Sequence, residues 1–144
     1  MNESKQYCTF LLDGRYFGVD VKQVQEVIRY QEMTRVPLAS PVVSGLINLR
    51  GRIVSAIDLR RRLGLADRPA DQQPMNVIVR AGDEAISLLV DEIGDVVEVP
   101  ADKFENPPET ISAFARTLIQ GAYKLEDRLM LVLDTQEAVE VPQT

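Results

Sequence analysis

The sequence predicts a mainly β protein built as two small β-barrels side by side, and three observations carry that prediction. Short runs rich in Val, Ile and Leu recur roughly every 8–12 residues with turn residues between them, the rhythm of barrels and sandwiches. The stretch Gly45–Leu59 holds two such runs, Leu46–Leu49 and Ile53–Ile57, around Arg50-Gly51-Arg52, and this reads as a hairpin. The third observation is a repeat. Gly45, Arg52 and Asp58 recur at equal spacing as Gly121, Arg128 and Asp134, and Val19-Asp20…Glu26-Val27 echoes Val90-Asp91…Glu98-Val99 with one inserted residue. At 144 residues the chain is one domain made of two small units, expected at 6–70 and 71–141.

Taken in order, Tyr7–Leu12 and Arg15–Val19 form a hairpin around Asp13-Gly14. Asp20 opens a helix, with Gln23 in capping-box position and Val21, Val24, Val27 and Ile28 at helical spacing. Tyr30–Pro37 returns as a strand, and Val36–Pro41 is a loop stiffened by two prolines. In the central hairpin Gly51 supplies the φ > 0 of the turn. Asn48 and Arg50 share one face and need partners or solvent. Asp58 caps a short helix, Leu59–Leu63, ending at Gly64. Its Arg60–Arg62 complements the helix dipole and meets solvent. Polar Gly64–Pro74 is expected to be the exposed crossover between barrels, cut first by proteases. Strands follow at Asn76–Arg80, Ala85–Asp91 and Val96–Val99, and then an irregular Pro100–Glu109. Thr117–Leu125 and Leu129–Leu133 lead to a helical tail, Thr135–Val141, with Asp134 and Glu137 in capping-box register.

Composition narrows the chemistry. There is no histidine, so the commonest general base and metal ligand is missing and a Ser-His-Asp or Cys-His site cannot be built. One cysteine, Cys8, forms no internal disulfide and reads as a core thiol. No phosphate-binding glycine loop appears. Asp91-Glu92…Asp95 lacks the regular ligand spacing of a calcium loop and reads as a solvated turn. A net charge of −6 argues against nucleic acid as a partner. No apolar run approaches a membrane span, and the polar start Met-Asn-Glu-Ser-Lys-Gln is no secretory signal, so the expected location is cytoplasmic. The expectation is a binding protein: no enzyme, no metal and no cofactor.

The run Gly-Leu-Ile-Asn-Leu-Arg-Gly-Arg-Ile-Val-Ser-Ala-Ile-Asp-Leu closely resembles the signature of the CheW family of bacterial chemotaxis coupling proteins. Phe17–Ile28, Val36-Pro37, Val90–Val96 and Gly121–Asp134 are similar to further family segments, so the resemblance spans about Gln6–Val139. It implies two SH3-like five-stranded β-barrels packed side by side, with short helices. It also implies a non-enzymatic adaptor that couples the cytoplasmic tips of transmembrane chemoreceptors to the histidine kinase CheA, through the kinase's regulatory domain. Such a protein is monomeric in isolation, enters no membrane itself, and is recruited to membrane-associated receptor arrays. An adaptor or ring-filling scaffold of a pilus or surface-sensing kinase array is the alternative.

Site residues carry over position by position. Val24, Glu26, Gly45 and Arg50 match receptor-coupling positions, and Gly51 matches a turn glycine that kinase binding needs. Two barrels side by side leave a groove for a helical receptor tip, with Val24 and Val27 facing Val96 and Val99. The kinase candidates are Leu38, Val42 and Val43 of the proline loop. Some have a bland alternative: Gly45 and Gly51 serve backbone geometry, Val24 and Val99 belong to the barrel cores, and Glu26 with Arg50 forms an ion pair, a binding contact or both.

Overall fold

The computed structural model describes residues 3–140 and contains ten strands in two five-stranded sheets. The first sheet has the order β8-β1-β2-β10-β9, from β1 (Ser4–Leu12), β2 (Arg15–Asp20), β8 (Glu92–Pro100), β9 (Ile119–Lys124) and β10 (Leu129–Leu133). The second has the order β3-β6-β7-β5-β4, from β3 (Val24–Ile28), β4 (Val43–Leu49), β5 (Arg52–Asp58), β6 (Met75–Ala81) and β7 (Glu84–Val90). Neither ladder closes on itself. Instead the chain leaving one edge strand is pinned to the opposite edge by a single bridge: Thr34 on Leu46 after β3, and Glu105 on Ala122 after β8.

The two strand orders superpose when β1–β5 is matched to β6–β10, so the repeat seen in the sequence is a repeat in space. Even the irregularities recur. Ser44 bulges out of the β4–β5 ladder as Gln120 does out of β9–β10, and β5 pairs parallel to β7 as β10 does to β2. The sheets nevertheless do not follow the two halves of the sequence. Each half gives its first hairpin to the other half's sheet, because β1–β2 complete the sheet of β8–β10 and β6–β7 complete that of β3–β5. Gly64–Pro74 therefore joins two strands of one sheet, and it is not wholly exposed, since Arg68 is partly buried and Pro74 buried. The sheets are linked at two other places, Asp20–Gln23 and Asp91.

Packing shows why the halves do not stand alone. A shared core takes Phe10, Leu12, Phe17 and Leu131 from one sheet and Ile57, Val77, Val79 and Leu88 from the other. Two smaller cores are private to one sheet each, around Ile47, Val54 and Ile78, and around Tyr123, Met130 and Tyr7. Each fully buried aliphatic or aromatic side chain contributes about 1.5–3 kcal/mol. Splitting the sheets would expose the largest cluster.

Two local expectations change. Val21–Gln23 is one 3-10 turn, with Asp20 accepting from the Lys22 amide, and the chain then runs on as β3 along β6 rather than as a helix. Val24, Val27 and Ile28 are β-branched and stiff at χ1, which suits a strand. Tyr30–Pro37 makes only the single bridge at Thr34 and is not a strand. The helices α1 (Leu59–Arg62) and α3 (Thr135–Val139) form where expected, capped by Asp58 and Asp134; Val141 lies outside the described residues. A further short helix, α2 (Ala113–Arg116), carries a Ser112 cap.

Candidate functional site

The central hairpin turns at Arg50-Gly51, both with positive φ (52° and 87°), the geometry that matches the twist of paired strands. Gly51 takes it freely, and the Asn48 side chain accepts its amide at 2.9 Å. A Cβ there would meet nothing within 4 Å, so Gly51 serves the turn's geometry and fills no contact. Arg50 occupies a conformation that L-residues avoid. Its guanidinium pairs with Glu26 on the edge strand β3. The pair lies at the surface, with Arg50 69% and Glu26 23% exposed. Val27 beside it is also exposed.

The other receptor candidates divide. Val96 is exposed (57%) on β8, the edge of the other sheet. Val99 is only 6% exposed and packs with Tyr7, Tyr123 and Met130. Val24 is half-buried against the shared core. Gly45 lies under the closing bridge, where a Cβ would stand 2.6 Å from the Thr34 carbonyl oxygen. Gly121 repeats this, with the Glu105 carbonyl at 2.5 Å. Val99 and Gly45 thus cannot face a partner directly. Alternation along β8 turns Val99 inward, and Gly45 is the close-approach glycine of a sheet edge.

On the same sheet the proline loop presents Leu38. It is fully exposed at 102% and has φ 64°. Only three non-glycine residues among those described have positive φ: Asp13, Leu38 and Arg50. Asp tolerates that region. The other two are side chains already singled out as candidate contacts. Val42 and Val43 are partly buried where β4 begins, with the Val42 carbonyl accepting the Asp58 amide at 2.7 Å. Below the loop lies a cleft of about 750 Å³ lined by Val36, Leu38, Val43, Ser44, Asp58 and Arg61. A larger concavity, about 920 Å³, lies elsewhere, between Tyr16, Leu65, Ile111 and Arg128, and holds none of these candidates.

Arg60–Arg62 does not simply meet solvent. Consecutive helix positions point about 100° apart, so three arginines in one turn cannot share an outward face. Arg60 is buried and holds Asp91 at the sheet crossover, with Nε 2.9 Å from Oδ1. Arg68 reaches the same oxygen at 2.9 Å, and the Asp13 amide donates to Oδ2 at 2.8 Å. Burial pushes this carboxyl up, yet the hydrogen bonds from Arg60, the Asp13 amide and Arg68 hold it below its usual range. Asp91 is therefore no solvated turn. Arg61 bridges to Asp67 and to the Pro41 carbonyl. Arg62 donates to the carbonyls of Ala138, Glu137 and Glu140 at the end of α3. Cys8 is partly buried, and desolvation raises its thiol pKa, as suits an unreactive cysteine. No described helix is long and apolar enough to cross a membrane.

Comparison with known proteins agrees with this architecture. Residues 6–143 match the family described as "CheW-like domain". The "Chemotaxis protein CheW" of Bacillus subtilis is 31% identical over 131 residues, 91% of this chain and 84% of that protein. Its namesake from Klebsiella aerogenes is 26% identical over 133 residues, 92% of this chain and 80% of that protein. The crystal structure of the scaffolding protein TtCheW from Thermoanaerobacter tengcongensis superposes with a TM-score of 0.87 at 26% identity, covering 99% of this chain and 97% of that one.

Proposed function

The chain belongs to the CheW-like domain family, and from that premise we propose that it is a non-enzymatic adaptor coupling the cytoplasmic tips of transmembrane chemoreceptors to the histidine kinase CheA. The observation that carries this reading is that one sheet offers two exposed, conformationally strained contacts on separate loops, Arg50 and Leu38. Backbone strain at an exposed side chain points to a contact rather than to folding. The receptor face is the pair Glu26–Arg50 with Val27, joined by Val96 from the edge of the other sheet, while the inward Val24, Gly45 and Val99 keep their strands in shape. The kinase face is Leu38 with Val42 and Val43, and Gly51 keeps the neighbouring turn in shape. The regulatory domain of the kinase is the partner at that second face. Recruitment to receptor arrays follows from these contacts alone, with the free chain a cytoplasmic monomer that binds no nucleic acid.

Reversing charge tests the receptor face. Arg50→Glu places two carboxylates together, so receptor binding falls at least about tenfold while kinase binding stays intact, because like charges at a contact cost far more than a lost rim pair. Co-sedimentation with receptor-bearing membranes and calorimetry with the kinase regulatory domain read the two partners separately. Undiminished receptor binding by a normally folded Arg50→Glu chain overturns the assignment.

A further inference from the structure

We infer that Arg61 is the positioning residue of the Leu38 contact: it locks the proline loop in the shape that presents an apolar anchor from a turn position suited to glycine. The inference rests on the proposal that this loop meets the kinase.

Val36–Ala39 has the signature of a type II turn, with Pro37 second, Leu38 third at φ 64°, and the Ala39 amide donating to the Val36 carbonyl at 3.3 Å. Glycine or asparagine is the ordinary occupant of that third position. A leucine there strains the backbone and leaves its whole side chain in water, so the fold itself gains nothing from it. Nearby, Pro41 sits second in another turn, closed by the Val43 amide on the Ser40 carbonyl at 2.9 Å. The Pro41 carbonyl, inside this second turn and two residues past the end of the Leu38 turn, accepts from Arg61 Nη1 at 2.9 Å. The same guanidinium is held by Asp67, with Nε 3.0 Å from Oδ1 and Nη2 3.4 Å from Oδ2, and Asp58 lies 3.9 Å from Nε. Asp67 is held below its usual pKa by Arg61, so both partners stay charged at neutral pH. Arg61 thus ties the proline loop to the segment after α1, held by Asp67 on one side and donating to the Pro41 carbonyl on the other. A planar, multi-donor guanidinium can do both at once, whereas a lysine ammonium lacks that fork. Holding a contact loop in its bound shape raises affinity by removing the ordering cost from the binding step.

Four full-length chains decide the matter: Leu38→Gly, Arg61→Ala, Arg61→Lys and the double variant Leu38→Gly/Arg61→Ala. Each is titrated against the isolated kinase regulatory domain, melted, and followed by amide exchange at Ala39 and Val43. Leu38→Gly is expected to melt at or above the parent temperature and to bind at least about tenfold more weakly, as loss of an anchor does. Arg61→Ala is expected to weaken binding about tenfold through lost preorganisation, with an unchanged melt and faster exchange at both amides. Arg61→Lys recovers part of the loss, and Arg61→Ala adds nothing once Leu38 is gone. If Leu38→Gly binds weakly while Arg61→Ala binds like the parent, the positioning role is overturned and the loop remains the kinase face. If neither variant alters binding, the loop is not the kinase face and the positioning role falls with it. If Arg61→Ala lowers the melt and weakens receptor and kinase binding alike, Arg61 is a general stabiliser and the inference is overturned.

Discussion

Asp20 and Asp91 stand at equivalent points of the repeat, each where the chain leaves one sheet for the other, and they are held in opposite ways. Asp20 is only partly buried and accepts one backbone amide, that of Lys22. Asp91 is buried and gathers Arg60, Arg68 and the Asp13 amide. The contrast recurs at the hairpin turns. Arg50-Gly51 is the two-residue turn with positive φ, whereas its counterpart Glu126-Asp127 carries no positive φ and makes no pair like Glu26–Arg50. The closing glycines, by contrast, are alike in both halves. What both copies share builds the fold; what only one copy has either locks the sheets together or forms the surface proposed to meet a partner.

The largest test of that contrast is Asp91→Ala. Removing a buried carboxylate takes the closest partner from two buried guanidiniums and leaves them only longer contacts to Asp13 and Asp58, at 3.8 Å and 3.7 Å, so a loss of about 3 kcal/mol is expected. Asp20→Ala loses only a cap, about 1 kcal/mol. Urea unfolding reads both, and equal losses would break the comparison. Its pH dependence sharpens it further. The Asp91 carboxyl is depressed in the fold, so its contribution is full above the unfolded carboxylate range and fades as pH falls through the lower folded value. The gap between the parent and Asp91→Asn should therefore narrow only in acid, and a gap that widens there is the wrong sign.

The shared glycines come next. Gly45→Ala and Gly121→Ala each drive a methyl into a backbone carbonyl, at 2.6 Å and 2.5 Å, and each should cost about 1–3 kcal/mol by overpacking. Gly121 is the more crowded, with the Phe104 ring also in the way, so its loss is the greater of the two. A neutral Gly45→Ala would separate the halves that this account treats as alike. A smaller change should stabilise. Thr135 is buried with its hydroxyl unpartnered, where the first half has Leu59. Thr135→Val keeps the shape, removes the orphan group, and should add about 1 kcal/mol. The least effect on folding belongs to Arg50→Ala, whose exposed guanidinium loses a salt-screened surface pair; its melt should stay at the parent value while receptor coupling drops.

Much of this was legible in the residues. Asp13-Gly14 and Arg50-Gly51 announce hairpins, Asp58 and Asp134 announce capped helices, and the spacing of Gly45, Arg52 and Asp58 reveals the repeat. Four things were not. Periodicity cannot say which copies of a repeated strand pair, so the exchange of hairpins between halves stayed hidden. Val21, Val24, Val27 and Ile28 fit a helical face as well as a strand, and pairing with β6 decided for the strand. Leucine resists positive φ, so no local preference points to the turn at Leu38, and the proline before it was the only hint. The arginines of α1 were misread because dipole and solvent already accounted for them, although three in succession must diverge around a helix.

The central claim is that one sheet carries the anchors of two separable faces, Arg50 and Leu38, and reconstituted kinase activity tests it most directly. Receptor-bearing membranes, the kinase and the full-length chain are mixed, and autophosphorylation is followed alongside binding to each partner. The account predicts activation by the parent chain only when all three are present. Arg50→Glu should bind kinase but fail to activate it, and Leu38→Gly should bind receptor but fail to recruit kinase. If both variants melt normally yet activate like the parent, or if each loses both partners together, the two faces do not exist as drawn.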